Sequence, residues 1–183
     1  MPHRRTVADA LIQKHPQISG ASVDVRSGWF RLCDELITAI LARSAEHAPE
    51  TPVVFDQIKS DFAVLRCYLD APVPCEDLIR RASLRSALTC EYCGAIGRLR
   101  MQRPLRRVRT TCEECESREK LGPWVRRPLP SSYRVTTAPR PDGFVDVTLV
   151  VLSQPEGSLP HPRSIDAHPD DAALAATYLL DRL

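Results

Sequence analysis

Two residue types that catalytic sites often use are scarce in this chain of 183 residues. There is no asparagine, and no histidine lies between His47 and His161. A treble-clef endonuclease of the HNH type requires a histidine base close to its zinc fold. A zinc deaminase requires a histidine–x–glutamate motif ahead of its cysteine pair. The chain lacks both arrangements and also a glycine-rich phosphate loop, so we expect a protein that is not an enzyme.

Long hydrophobic runs are also missing. No run of 18 apolar residues is present to form a transmembrane helix, and residues 1–15 lack the apolar core and cleavage site of a signal peptide. The cysteine count is odd, at seven, and four of the seven have metal-ligand spacing. This usage fits a reducing compartment better than a secreted disulfide scaffold. We therefore expect a cytoplasmic protein without a membrane partner.

The cysteines carry the strongest signal in the sequence. Cys90 and Cys93 form one CxxC pair, Cys112 and Cys115 form a second, and 18 residues separate the pairs. Each CxxC turn directs two thiolates to one point, and this spacing is typical of structural zinc sites. Four thiolates leave no open coordination position, so we expect one structural Zn²⁺ ion. The alternatives are a pair of redox dithiols and cysteines that share this spacing by coincidence.

The residues around the two pairs predict a compact zinc module. The stretch GRLRMQRPLRRVRTT between the pairs has the length of a β-hairpin that turns near residues 102–104. The residues from Cys112 onward, CEECESREK, begin like a helix with acidic residues in its first turn. A hairpin followed by a helix that carries the second pair is the treble-clef order, and a plain zinc ribbon is the alternative.

Hydrophobic periodicity predicts an α+β core on the N-terminal side of the module. Residues 27–44 have helical spacing with Ser27 as a candidate N-cap, and residues 52–58 and 62–70 alternate as two strands of a hairpin. The polar residues 59–61 separate these strands. A second helix, CEDLIRRASLRSALT, leads directly into Cys90.

These elements predict three regions. Residues 1–26 have weak periodicity and form an N-terminal arm, and residues 27–122 form the core with the zinc site at 90–115. Residues 123–183 form a Pro-rich linker with a strand at 144–153 and a final helix. The predicted fold class is α+β, a helix–β-hairpin–helix core fused to a four-cysteine zinc-ribbon or treble-clef module, with a C-terminal strand–helix extension.

Three stretches each contain a further motif: SGWFRLCDELITAI at 27–40, QIKSDFAVLRCYLD at 57–70 and LIRRASLRSALTCEYCGAIGRLR at 78–100. The GWF helix start, the FxxLRxY hairpin and the TCExCGxxGxLR zinc knuckle together resemble an uncharacterised family of small bacterial and phage-borne zinc-binding proteins. The resemblance covers roughly residues 27–116. It implies an α+β zinc-binding fold and supplies no established activity.

The chain departs from that family at two places. The family has Gly-Gly where this chain has Ala63–Val64, so any turn or bulge that those glycines provide must be built differently here. The family tends to close with a CxxH string where this chain has Cys112-Glu-Glu-Cys115. A thiolate in place of the imidazole preserves zinc ligation, which favours Cys115 as a ligand.

Charge is distributed unevenly along the chain. Residues 80–127 contain twelve arginines and one lysine against five glutamates, a net charge of +8, and the remaining residues carry −6. The predicted hairpin contains no acidic residue and six arginines: Arg98, Arg100, Arg103, Arg106, Arg107 and Arg109.

Two functions fit this charge pattern. The first is a non-enzymatic binding module whose Arg-rich hairpin contacts nucleic-acid phosphates, since the guanidinium fork matches phosphate geometry. The second is a protein-interaction or inhibitor module of a phage-borne or toxin-neutralising type, in which zinc is purely structural. In a third interpretation the arginines only balance the negative zinc–thiolate cluster and solvate the hairpin.

Overall fold

The computed structural model describes residues 6–102, 107–118, 124–125, 132–152, 163–167 and 169–181. In these ranges the chain has the predicted α+β architecture, with five α-helices and three three-stranded sheets. None of the helices in the described ranges is both long and apolar enough to cross a membrane.

The N-terminal segment, for which the sequence predicted an arm, contributes side chains to the main hydrophobic cluster. Helix α1 (Val7–Lys14) begins with a capping box, in which the Thr6 hydroxyl accepts from the Asp9 amide and the Asp9 carboxylate accepts from the Thr6 amide. Strand β1 (Ser22–Asp24) then pairs in parallel with the next strand. Leu11 and Ile18 are fully buried in the main hydrophobic cluster.

The central helix and hairpin follow the prediction with two corrections. Helix α2 (Phe30–His47) buries the expected apolar stripe, but a 3₁₀ turn at Ser27–Trp29 precedes it, and Ser27 makes no N-cap hydrogen bond. Strands β2 (Val54–Asp61) and β3 (Val64–Asp70) form the hairpin, so residues 59–61 lie in a strand.

The turn of that hairpin consists of Phe62 and Ala63. Both residues have positive φ, 48° and 62°, which is the conformation that two-residue hairpin turns require and that glycine or asparagine adopts most easily. The family that the sequence resembles has glycine at the position of Ala63. This chain therefore forms the turn with an alanine whose backbone is in the left-handed conformation.

Helix α3 (Glu76–Ser86) packs against α2 and covers the free edge of β3. The Ser83 hydroxyl donates to the Leu65 carbonyl, and the Leu65 amide donates to the Ser86 hydroxyl, each at 2.7 Å. These bonds satisfy backbone groups that an edge strand otherwise leaves open.

The module that contains the two CxxC pairs has the treble-clef order of hairpin and helix. Strands β4 (Arg98–Gln102) and β5 (Arg107–Thr111) form the hairpin, and β6 (Trp124–Val125) pairs with the other edge of β4. Helix α4 (Glu113–Arg118) begins directly after Cys112. Of the hairpin turn predicted near residues 102–104, residue 102 belongs to β4, and residues 103 and 104 lie outside the described residues.

The C-terminal unit, residues 132–152, 163–167 and 169–181, contains more structure than the predicted strand and helix. Strands β7 (Tyr133–Pro139), β8 (Val145–Val151) and β9 (Arg163–Ala167) form one sheet, and helix α5 (Ala172–Asp181) packs on it. The unit has its own small core, to which Leu84 of α3 contributes. Arg80 and Arg81 of α3 form ion pairs with Asp166 and Asp171 of the unit.

Candidate metal centre

The two CxxC pairs meet at one point. The sulfur atoms of Cys90, Cys93, Cys112 and Cys115 all lie within 4.8 Å of one another, and all four thiols are free of disulfide bonds. The Sγ atoms of Cys93 and Cys112 are 3.6 Å apart. A tetrahedral shell with Zn–S bonds of about 2.3 Å places its sulfurs about 3.8 Å apart. The cluster therefore has the dimensions of a tetrahedral four-thiolate metal site.

The first pair lies in a tight turn, residues 90–94, that we call the knuckle. The Gly94 amide donates to the Cys90 carbonyl at 2.9 Å, and the Cys90 amide donates to the Ala95 carbonyl at 2.7 Å. Gly94 has a φ of 80°, which the turn requires and which favours glycine. These two bonds turn Cys90 and Cys93 toward the same point.

The second pair lies at the start of α4. The Cys115 amide donates to the Cys112 sulfur at 3.4 Å, and the Glu116 amide donates to the Cys112 carbonyl at 3.1 Å. Burial opposes ionisation of Cys112, but hydrogen bonds from the Cys115 amide and from neighbouring thiols lower its pKa below the ordinary value. Cys112 is therefore prepared to act as a thiolate ligand.

Cys93 and Cys115 have the opposite tendency, because the pKa of each of these two thiols is raised. Burial raises the pKa of Cys115 well above its ordinary value, and the adjacent thiols add to the increase. Four close thiols therefore resist simultaneous ionisation unless a cation is bound among them. The donor set consists of four sulfur atoms close enough to share one ion, so the residues fit a thiophilic ion such as Zn²⁺.

The Ser27–Trp29 turn fixes the knuckle against the main core. The Gly28 amide donates to the Glu91 carbonyl at 2.9 Å, the Ser27 hydroxyl to the Tyr92 carbonyl at 2.7 Å, and the buried Trp29 indole to the Thr89 carbonyl at 2.8 Å. The three bonds span both sides of the first cysteine. A short segment before α2 therefore positions half of the metal site.

This contact is so close that it requires glycine at position 28. A Cβ atom on Gly28 would lie 2.1 Å from the Cys90 carbonyl oxygen and 2.6 Å from the Gly94 amide nitrogen. Both are backbone atoms, so a side-chain rotation cannot relieve the overlap. Gly97 has a similar constraint, because its Cβ would lie 2.9 Å from the Cys90 nitrogen.

Glu91 connects the knuckle to the hairpin. Its side chain is fully buried, and it accepts a hydrogen bond from the Thr110 amide at 3.1 Å and one from Arg109 at 2.8 Å. Ser60 of β2 adds a weaker contact at 3.3 Å. These contacts satisfy a buried carboxylate, and they join the candidate metal site to β5 and β2.

The structure assigns different surroundings to the arginines that the sequence grouped together. Arg100 is buried and forms an ion pair with Glu116 at 2.6 Å, and Arg109 binds Glu91. Arg98 is exposed and has no ion pair among the described residues. Arg107 is described only by its backbone in β5, and the predicted contacts Arg103 and Arg106 lie outside the described residues.

The remaining three cysteines do not join the metal site. Cys33, Cys67 and Cys75 are buried in the main core, where burial raises the pKa of Cys33 and of Cys67 to about 12. Such thiols stay protonated near neutral pH and pack as small apolar side chains. This confirms the assignment of Cys33 to the apolar stripe of α2.

Sequence reasoning missed Gly28 and Glu91 as residues of the site. Both lie in stretches that the family resemblance includes, and a carboxylate between two zinc-ligand cysteines is a signal that was present in the sequence. No protein-family model, no curated protein and no solved structure matches this chain. Its function is therefore inferred from the fold and the geometry of the site.

Proposed function

We propose that the protein is a non-enzymatic nucleic-acid-binding module, stabilised by one structural Zn²⁺ ion held by Cys90, Cys93, Cys112 and Cys115. The metal would have no open coordination position, because four thiolates complete a tetrahedral shell. Its contribution is to fix the β4–β5 hairpin relative to the core, and the binding surface is the hairpin itself.

The observation that carries the proposal is the division of the hairpin arginines. Arg100 and Arg109 have glutamate partners inside the protein, and so they support the hairpin. Arg98 is exposed on the same hairpin, which has no acidic residue in its sequence to neutralise the remaining arginines. The proposed phosphate contacts are therefore Arg98, Arg103, Arg106 and Arg107.

Phosphate recognition suits this arrangement physically. Each arginine that neutralises a phosphate releases condensed counterions, so affinity decreases steeply as salt concentration increases. Arginine side chains on a metal-fixed hairpin lose less conformational freedom on binding than side chains on a mobile loop. Contacts of this kind position the protein on a nucleic-acid backbone without reading the base sequence.

The test is binding of the zinc-loaded full chain to short single- and double-stranded DNA and RNA across a salt series. We expect Arg98→Ala to lower the affinity and to reduce the slope of log K against log salt by about one unit. The combined Arg103→Ala/Arg106→Ala/Arg107→Ala variant should reduce both further.

Arg134→Ala is the matched control, because Arg134 is an exposed arginine on β7 of the C-terminal unit. Its affinity and salt slope should equal those of the wild type. Equal losses in Arg134→Ala and Arg98→Ala would show that binding depends on general charge and contradict the hairpin assignment. Absence of binding at low salt would reject the nucleic-acid proposal.

Exposed apolar side chains favour a second function, a protein-interaction or inhibitor module. Ile96, two residues after the knuckle, is 85 % exposed, and Phe62 in the turn between β2 and β3 is 71 % exposed. Large apolar groups at the centre of an interface contribute most of its binding energy. This function would be supported if the wild type binds a partner protein and the Ile96→Ser/Phe62→Ser variant does not. The wild type should then show no nucleic-acid binding.

A further inference from the structure

The four metal-site cysteines differ in their access to solvent. Cys90 and Cys115 are buried, with 0 % and 1 % of their surface exposed, whereas Cys93 is exposed and Cys112 is partly exposed. Each CxxC pair therefore contributes one protected sulfur and one accessible sulfur. The accessible face of the site consists of two cysteines from different pairs.

The two accessible sulfurs are also close together. Cys93 Sγ lies 3.6 Å from Cys112 Sγ, and a disulfide bond requires about 2.05 Å. One cysteine lies in the knuckle and the other directly before α4. A modest side-chain adjustment therefore brings the two sulfurs to bonding distance.

A groove gives small molecules a route to Cys93. It has a volume of about 460 Å³, and it is bordered by Cys93, Gly94, Phe30 and Thr89. Arg31 and Arg85 also line it, and each forms an ion pair with Glu35. A polar oxidant of the size of a hydroperoxide can therefore reach the Cys93 sulfur without any movement of the fold.

We propose that Cys93 and Cys112 form an oxidation site for hydroperoxides on the solvent side of the metal centre. The inference rests on the metal ligation proposed above. With hydrogen peroxide as the oxidant, the Cys93 thiolate attacks one peroxide oxygen, the O–O bond breaks, and hydroxide leaves as a sulfenic acid forms on Cys93. The Cys112 thiolate then attacks that sulfur, the S–O bond breaks, and a second hydroxide leaves as the disulfide forms.

The electrons and protons balance in this sequence. The two thiolates lose two electrons in total, the peroxide gains them, and two protons from solvent convert the two hydroxides to water. The metal shell retains only Cys90 and Cys115, so the ion is released. Oxidation thereby removes the metal that fixes the hairpin.

The experiment adds hydrogen peroxide in small steps to the metal-loaded full chain. Released metal is measured with a chromophoric chelator, and disulfides are located by blocking free thiols and mapping the peptides by mass spectrometry. We expect the first disulfide to join Cys93 to Cys112, with one ion released per disulfide and with Cys33, Cys67 and Cys75 still reduced. A first disulfide within either CxxC pair, or metal retention during oxidation, would overturn the proposal.

Two histidine variants separate the oxidation chemistry from ligation. Cys93→His replaces the attacking sulfur with a nitrogen that can still bind the metal, so the metal-loaded variant should lose the peroxide-dependent release. Cys115→His is the matched control, because it changes a ligand of the same site and keeps both accessible sulfurs, and it should still release metal. Equal release from both variants would contradict the assignment to Cys93.

The metal content before oxidation separates this inference from the proposed function. A purified chain that holds no metal and folds unchanged in chelator would reject the zinc centre and the oxidation site together. A metal-loaded chain that oxidises at other cysteines would overturn the oxidation site alone. Nucleic-acid affinity is measured independently, in the salt series described above.

Discussion

Arg109 and Arg98 lie on the same hairpin, but the residues around them give the two arginines different roles. Arg109 is the cationic partner of Glu91, whose carboxylate is fully buried beside the metal ligands. Removing the cation leaves a buried charge with only hydrogen-bond partners, which costs far more than the loss of a surface charge. The two arginines therefore provide a direct comparison between a structural and a surface role.

We predict that Arg109→Ala lowers the free energy of unfolding of the zinc-loaded protein by about 3 kcal/mol. Arg98→Ala should change the free energy of unfolding by no more than about 0.5 kcal/mol, as is usual for exposed positions. Chemical denaturation followed by tryptophan fluorescence measures both values. Similar values for the two variants would show that the Glu91 network does not depend on its cation.

At the scale of elements, the contact between the Ser27–Trp29 turn and the knuckle gives the sharpest test. Gly28→Ala places a methyl group in contact with backbone atoms of Cys90 and Gly94, so one of the two segments must move. We expect a loss of about 3 kcal/mol in the free energy of unfolding, together with weaker metal binding, because overpacking strains both partners.

Gly20→Ala is the matched control for that substitution. A Cβ atom on Gly20 would have no neighbour within 4 Å, and its φ is not in the left-handed region. The free energy of unfolding should stay the same or increase slightly, since alanine reduces the entropy of the unfolded chain. Thermal unfolding and a metal-competition titration of both variants check the pair. A tolerant Gly28→Ala variant would show that the two segments are not tightly packed.

Local sequence signals were sufficient for several elements of the fold. The four-cysteine cluster, helices α2 and α3 and the order of hairpin and helix could be predicted, because CxxC spacing and helical periodicity depend on neighbouring residues. The predicted position of the β2–β3 turn was wrong, because the turn residues Phe62 and Ala63 are neither glycine nor asparagine, which normally mark positive φ in a sequence. Tertiary pairing of the flanking strands determined the turn instead.

The missed features depend on residues that are distant in sequence. Strands β7 and β9 lie in or beside Pro-rich stretches with weak alternation, and each is stabilised by pairing with one edge of the central strand β8. The partner of Arg109 is 18 residues away, across the fold. A count of charges cannot distinguish an arginine that is ion-paired inside the protein from the exposed Arg98. The sequence prediction therefore placed both kinds of arginine in one group.

At the scale of the whole molecule, the proposed metal ion should stabilise more than its own module. The knuckle bonds to the turn before α2, and Glu91 contacts β2, so loss of the ion weakens contacts with the main core. The C-terminal unit is joined to this core through Leu84 and the arginines of α3. We therefore expect the metal state of the cysteine cluster and the stability of the core to be coupled.

The metal affinity should depend on pH in a defined direction. Burial raises the pKa of Cys115, so in the metal-free protein this thiol is protonated near neutral pH and must lose its proton to bind the ion. Protons therefore compete with metal, and affinity should increase from pH 6 to pH 8. Competition with a chromophoric chelator at several pH values measures the trend. A pH-independent affinity would exclude thiolate ligation.

The bonds between the Ser27–Trp29 turn and the knuckle also affect the order in which the chain folds. Their partners are 60 and 65 residues apart in sequence, and contacts of such separation form slowly because a long loop must close first. During synthesis, Trp29 leaves the ribosome long before Thr89 and the four cysteines. The nascent chain therefore carries Trp29, whose side chain is fully buried in the folded protein, without its hydrogen-bond partner until Thr89 has been made.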